Sequence, residues 1–165
     1  VGTLEPRKGY WQTLKAFDLL WAQGLDVNWI LVGKFGWKAS ELTQAIQKHP
    51  LFNQKLFWES GVSDEYLESL YQQADCLIAA SEGEGFGLPL IEAAQKQLPI
   101  LARNLTVFKE VAGDFAFYFD GLEPQDLANA IKNWLALNEQ QLAPQSSGMP
   151  YLSWQQSAAQ LISLI

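Results

Sequence analysis

Between residues 10 and 23 the apolar side chains recur at Tyr10, Trp11, Leu14, Phe17, Leu20 and Trp21, the spacing of one helical face, and Gly24 closes the run. The pattern then tightens to "VNWILVG" (27–33), a β-rich run that predicts a buried strand ended by glycine. Helical spacing returns over 39–47 before the break at Pro50, and "KLFWES" (55–60) predicts the next strand, with Gly61 after it. "SDEYLESLYQQA" opens on Ser63 as N-cap, with acids in the first turn where they suit the helix dipole. "DCLIAA" (75–80) predicts a buried strand, and 88–97 a helix that tolerates Pro89 in its first turn. "LPILAR" predicts another strand, 107–112 a short helix, "FAFYF" a last short strand, and 123–137 a helix with Pro124 near its start. The polar, turn-rich stretch 138–150 reads as a surface loop or linker, and 151–165 as a terminal helix.

Strand and helix thus alternate along most of the chain, which predicts an α/β fold: a Rossmann-like parallel sheet with helices on both faces. Ligands of such folds sit outside the carboxyl ends of the strands. Gly2, Gly33 and Gly61, each at a strand end, and the loop "SEGEGFG" (81–87) are expected along that one edge. Residues 1–137 should form the body, with 138–165 supplying a linker and a C-terminal helix packed on it. A strand entering a glycine loop is normally several residues long, yet one residue precedes Gly2, so the sequence reads as a domain cut from a larger protein.

Composition narrows the function. Hydrophobic residues make up 48% of the 165 and charged residues 18%, a globular balance with an aromatic-rich core. A net charge of -7 argues against a general nucleic-acid or anionic-membrane surface, so any anionic ligand must meet a local positive cluster. The single cysteine, Cys76, allows no internal disulfide, points to a reducing, cytoplasmic compartment, and reads as an inert core residue. No apolar run is long enough to span a bilayer, which leaves peripheral association at the inner face of the membrane open through a longer protein. No His, Cys or Asp cluster has metal-ligand spacing; His49, before Pro50, reads as a solvent-facing residue at a helix end.

The densest chemistry lies in "SEGEGFGLPLIEA" (81–93). Gly83, Gly85 and Gly87 permit positive φ and leave the peptide N–H groups open to a ligand, while the helix starting near Leu88 aims free donors at the same place. That combination suits a phosphate; it equally suits a tight turn and nothing more. Glu84 and Glu92 would repel an anion unless they grip something else, and sugar hydroxyls are natural partners for a carboxylate. Glu92 alone is as well explained by its early helical turn. Arg7 and Lys8 follow the first strand end and supply a bidentate fork and a point charge, a pair suited to a diphosphate. As mere solvated cations they would oppose the dipole of the helix they precede.

These residues resemble a known family. "EGFGLPLIE" (84–92) is similar to the E-x7-E signature of retaining GT-B glycosyltransferases, notably glycosyltransferase family 4, and "VGTLEPRKG" looks like the first strand and loop of that family's C-terminal domain. The likeness runs from Val1 to about Leu137 and is strongest toward bacterial mannosyltransferases of O-antigen and other surface polysaccharides. It implies the C-terminal, donor-binding half of a GT-B fold. Arg7 and Lys8 then match the pair that neutralises the donor diphosphate, and Glu84 the acid beside the donor sugar hydroxyls. Glu92 matches the acid that holds the ribose. Gly2 and the backbone of Gly85, Phe86, Gly87 and Leu88 would meet sugar and phosphates, with Gly61 and Val62 near the base.

The reaction so implied moves a sugar, mannose from GDP-mannose, to a glycan or lipid-linked oligosaccharide acceptor with retained configuration, without a metal or further cofactor. The chain departs from many relatives in carrying Thr3 where they have the basic residue, which makes Arg7 a substitute from four positions along. The N-terminal acceptor domain of the family has no counterpart in this sequence, so weak or no transfer is expected from this chain alone. A UDP-sugar donor and a purely nucleotide-sugar-binding module stay open as alternatives. A glycoside hydrolase, which also uses two carboxylates, would leave Arg7 and Lys8 without a role.

Overall fold

A computed structural model describes residues 1–163; the last two positions of the expected terminal helix lie outside the described residues. The helical stripe of the first segment becomes α1 (Tyr10–Ala22), which buries Tyr10, Leu14, Phe17 and Leu20 and leaves Trp11 and Lys15 outward. It is followed by β1 (Trp29–Val32), α2 (Ser40–Gln47), β2 (Leu56–Glu59) and α3 (Asp64–Gln73). Ser63 caps α3 as its sequence dictates, its hydroxyl accepting from the Tyr66 N–H at 3.2 Å. Then come β3 (Leu77–Ala79), α4 (Leu88–Gln95), β4 (Ile100–Arg103), α5 (Thr106–Ala112), β5 (Phe117–Phe119), α6 (Pro124–Glu139) and α7 (Trp154–Ile162).

Every strand pairing is parallel. The ladder is divided, however: β1 pairs with β2, and β3, β4 and β5 form a second sheet in that order. A cleft of about 400 Å³ separates β1 from β3, walled by Trp29, Leu31, Tyr71, Leu77, Leu101 and Trp134. The N-terminal segment runs along the edge of β1 away from β2, the Gly2 N–H donating to the Val32 carbonyl at 2.8 Å and the Leu4 N–H to that of Lys34 at 3.0 Å. Two apolar clusters lie on the two sides of the strands. One joins Leu31, Leu56, Leu101 and Phe119 to α1, α2 and α6. The other joins Leu77, Ile100 and Ala102 to α4 and α5. Strand β4 feeds both clusters through alternate residues, Leu101 to one and Ile100 and Ala102 to the other, which is why its first three residues are apolar and buried.

Three expectations need correction. The stretch 138–150 is a largely exposed loop, as one of the two readings had it, but not a free linker: its first two residues complete α6, Ala143, Ser146 and Met149 are buried, and Met149 belongs to the second apolar cluster. Helix α7 does not pack on the body, since none of its residues is buried and Trp154 and Ile162 are 81% and 73% exposed. His49 does not simply face solvent. Its Nε2 pairs with Asp18 at 2.8 Å, its Nδ1 accepts the Leu51 N–H at 3.1 Å, and its ring packs on Trp21. Cys76 is half-buried just before β3 and packs against the first apolar cluster rather than within the core; burial pushes its thiol above the ordinary range. Among the described residues no helix is long and apolar enough to cross a membrane.

Candidate functional site

At the carboxyl edge of the strands the turn before α1 meets the loop before α4. Pro6–Lys8 forms a 3-10 turn closed by Gly9 at φ +70°. A Cβ on Gly9 would lie 2.1 Å from the Ala80 carbonyl oxygen, so only glycine lets this turn settle on the end of β3. The Glu82 N–H donates to the Arg7 carbonyl at 2.7 Å and ties the two segments together through their backbones.

The charged side chains collect over this seam. Glu84 Oε2 accepts from Arg7 Nη1 at 3.0 Å, while its Oε1 accepts from Lys8 Nζ and, at 3.0 Å, from the Ser81 hydroxyl. Arg7 donates further to Glu5 Oε2 at 3.0 Å and to the Gly83 carbonyl at 3.2 Å. Burial pushes the Glu84 carboxyl up, but the hydrogen bonds and charge of Lys8, with those of Arg7 and Ser81, outweigh it and hold the group below its ordinary 4.5. The hydrogen bond to Glu84 in turn raises Arg7. Two cations here face two carboxylates, so the cluster is locally balanced before any ligand arrives.

Gly2 lies against this cluster: a Cβ there would sit 3.5 Å from Lys8 Nζ, and its carbonyl accepts the Tyr10 hydroxyl at 3.0 Å. Of the loop glycines only Gly87 has positive φ, +100°, and its missing Cβ leaves room for the Phe108 ring. Gly83 and Gly85 have neither positive φ nor a close neighbour, which corrects the expectation that all three are needed for backbone freedom. What Gly85 gives instead is exposure, shared with Phe86 and Leu88 at the entry to α4. Gly87 itself is buried as the N-cap.

Glu92 is held apart from the cluster. On α4 its Oε2 accepts the Tyr71 hydroxyl, from α3, at 2.8 Å. Burial first, then the charge of Glu92, drives that hydroxyl upward, so Tyr71 stays a proton-bearing donor. Gly61 (φ +73°) and Val62 sit beyond β2 at the start of α3, and no hydrogen bond among the described residues joins them to Arg7, Lys8 or Glu84. Sequence reasoning missed Gly9, Ser81 and Tyr71. Gly9 carried a signal, a glycine directly before an apolar-periodic helix; the pairing of Tyr71 with Glu92 is tertiary and left none.

The fold places the chain in a class. It is shared with the crystal structure of the C-terminal domain of a glycosyl transferase group 1 family protein, LpcC, from Francisella tularensis. That match has a TM-score of 0.72 at 18% identity, over 87% of this chain and 76% of that one. It is shared too with HepE of Anabaena, solved in complex with UDP and glucose (TM-score 0.76, 22% identity, 99% of this chain and 48% of that one). Such neighbours are GT-B glycosyltransferases. The particular family follows from sequence: residues 1–148 match the model described as "Glycosyl transferases group 1", and the chain belongs to that family. It is 52% identical over 162 residues to the serotype-specific mannosyltransferase WbdA of Escherichia coli, which covers 98% of this chain and 20% of that protein. It is 34% identical over 121 residues to an O-antigen chain mannosyltransferase B of E. coli, covering 73% of this chain and 32% of that protein. The chain therefore spans about a fifth of the length of its WbdA relatives.

Proposed function

We propose that this chain is the donor-binding half of a retaining mannosyltransferase that takes GDP-mannose and extends a glycan or lipid-linked acceptor in O-antigen synthesis. The observation that carries the reading is the Arg7–Lys8–Glu84 cluster on the carboxyl edge, beside the exposed backbone of Gly85 and Phe86. The mannosyltransferase relatives supply the sugar.

In this reading the diphosphate enters between the 3-10 turn and the N-terminus of α4, meeting Arg7, Lys8 and the backbone around Gly85, Phe86, Gly87 and Leu88. Glu84 then exchanges part of its grip on the two cations for the sugar hydroxyls, and Glu92, oriented by Tyr71, takes the ribose. Gly2 lines the sugar side, and Gly61 and Val62 approach the base. The bond from C1 of the sugar to the diphosphate oxygen breaks and that from C1 to the acceptor oxygen forms. The acceptor proton passes to the departing phosphate, whose charge Arg7 and Lys8 offset without a metal. The protein's share is positioning and electrostatic stabilisation.

Calorimetric titration with GDP, UDP and ADP tests the reading. GDP is expected to bind, and more weakly to Glu92→Ala and Arg7→Ala. Preference for UDP or ADP replaces mannose with another sugar, and binding by none of the three overturns the site. Because the chain spans a fifth of its WbdA relatives, a second reading is retained in which it binds donor without turning it over. Transfer from radiolabelled GDP-mannose to a lipid-linked acceptor by this chain alone is expected to be weak or absent.

A further inference from the structure

The last residue of β4, Arg103, is buried, with 6% of its surface exposed, and no carboxylate among the described residues is hydrogen-bonded to its guanidinium. Burying a cation in this way is unfavourable unless its donors are used, and here they are spent on three separate segments. Nε donates to the Ser81 carbonyl at 3.0 Å and Nη2 to the Ala80 carbonyl at 3.0 Å, at the root of the Glu84 loop. Nη2 also donates to Gln12 Oε1 on α1, and Nη1 to the Gly121 carbonyl between β5 and α6. Gln12 completes the clamp by donating to the Glu123 carbonyl at 2.8 Å. The Phe119 ring covers one face of the guanidinium, its centroid 5.0 Å from the Arg103 Cζ, in a cation–π contact. The three tied segments include the two that carry the site: Ser81 bonds Glu84, and the Ala80 carbonyl is the surface on which Gly9, next to Lys8, rests.

We propose that Arg103, seconded by Gln12, is a positioning residue that fixes the Arg7–Lys8 turn against the Glu84 loop and so sets the geometry of the donor site. The role in donor binding rests on the reading above; the clamp itself does not. A planar fork with five donors can serve three segments at once, whereas a lysine in its place keeps the charge and reaches one.

The test compares wild type with Arg103→Lys and Gln12→Met by amide hydrogen exchange and by GDP titration. In Arg103→Lys the Glu82 amide and residues 81–87 are expected to exchange at least tenfold faster, while the β1 amides of Leu31 and Val32 keep wild-type rates. GDP affinity is expected to fall at least tenfold alongside. Gln12→Met removes one arm and is expected to give a smaller rise confined to the same residues. Unchanged exchange at Glu82 in Arg103→Lys overturns the proposal, as does an equal loss of protection in β1, which marks a merely structural residue. If Arg103→Lys does not fold, Gln12→Met decides: no rise at Glu82 overturns it. Wild type that binds no GDP defeats the donor reading, and the exchange rates still judge the clamp.

Discussion

Lys8 and Glu84 stand 76 positions apart and meet as an ion pair whose side chains are only 13% and 11% exposed. The pair joins the turn that opens α1 to the loop that opens α4, and Arg7 closes on the other carboxylate oxygen. The cations a diphosphate would need are thus already engaged. On the proposed reading a donor would have to share Lys8 and Arg7 with Glu84, and sugar hydroxyls would compensate the carboxylate for what it yields. A bare nucleotide offers no such compensation.

That competition gives the first expectation. Glu84→Gln keeps the shape of the side chain and removes its charge, releasing both cations. GDP is expected to bind about three- to tenfold more tightly to the variant, the scale of one partly screened charge a few ångströms away. GDP-mannose is expected to lose its advantage over GDP. Calorimetry with the two ligands measures both effects, and weaker GDP binding would show that Glu84 supports the diphosphate rather than competing with it.

The same carboxylate predicts a pH dependence. Its folded pKa lies below the ordinary value of 4.5. The cluster's contribution to stability is therefore fully present above that value and is lost as pH falls through the lowered folded pKa. The difference in Tm between wild type and Glu84→Gln should be flat above about pH 5 and shrink progressively below it. A difference unchanged down to pH 3 would mean that the ionised form contributes nothing.

Tyr71 offers a way to examine Glu92 without touching a charge. Tyr71→Phe deletes the donor to Glu92 Oε2 and is expected to cost about 1 kcal/mol of stability. With Glu92 no longer oriented, GDP affinity should fall several-fold, whereas that of a 2′,3′-dideoxy analogue should not change. Equal losses for both nucleotides would separate Glu92 from the ribose.

Much of this was legible beforehand for local reasons. The stripe Tyr10, Leu14, Phe17, Leu20 forces a helix with one buried face, and the apolar run Ile100, Leu101, Ala102 of β4 fits a strand covered on both sides. The carboxyl edge followed from the alternation of elements, which is why Arg7, Lys8 and Glu84 were placed together correctly. What failed to show is tertiary. The division between β1 and β3 depends on which strand edges pair, and local pattern does not encode that. Residues 138–150 looked like a linker because Ser, Gln and Pro dominate, yet three well-spaced residues suffice to anchor the segment. Arg103 drew no notice within the expected strand "LPILAR"; its value lies in carbonyls contributed by Ala80, Ser81 and Gly121.

The glycines supply the last expectation, because the structure divides them where the sequence does not. Gly9 and Gly87 both adopt positive φ, and both are crowded: an added Cβ would lie 2.1 Å from the Ala80 carbonyl oxygen and 2.9 Å from Phe108 Cε1, respectively. Gly9→Ala meets immovable backbone as well as strain, so it should be the more damaging, costing on the order of 2–4 kcal/mol. Gly87→Ala can displace an aromatic ring and should cost about 1–3 kcal/mol. Gly85→Ala has open space and an ordinary φ, so its stability should stay within about 0.5 kcal/mol of wild type. Its effect should fall on ligand binding, since a methyl group there stands over the backbone that a phosphate or sugar must approach. Denaturant unfolding and GDP titration of the three variants separate the cases. Loss of stability without loss of affinity in Gly85→Ala would remove that residue from the site.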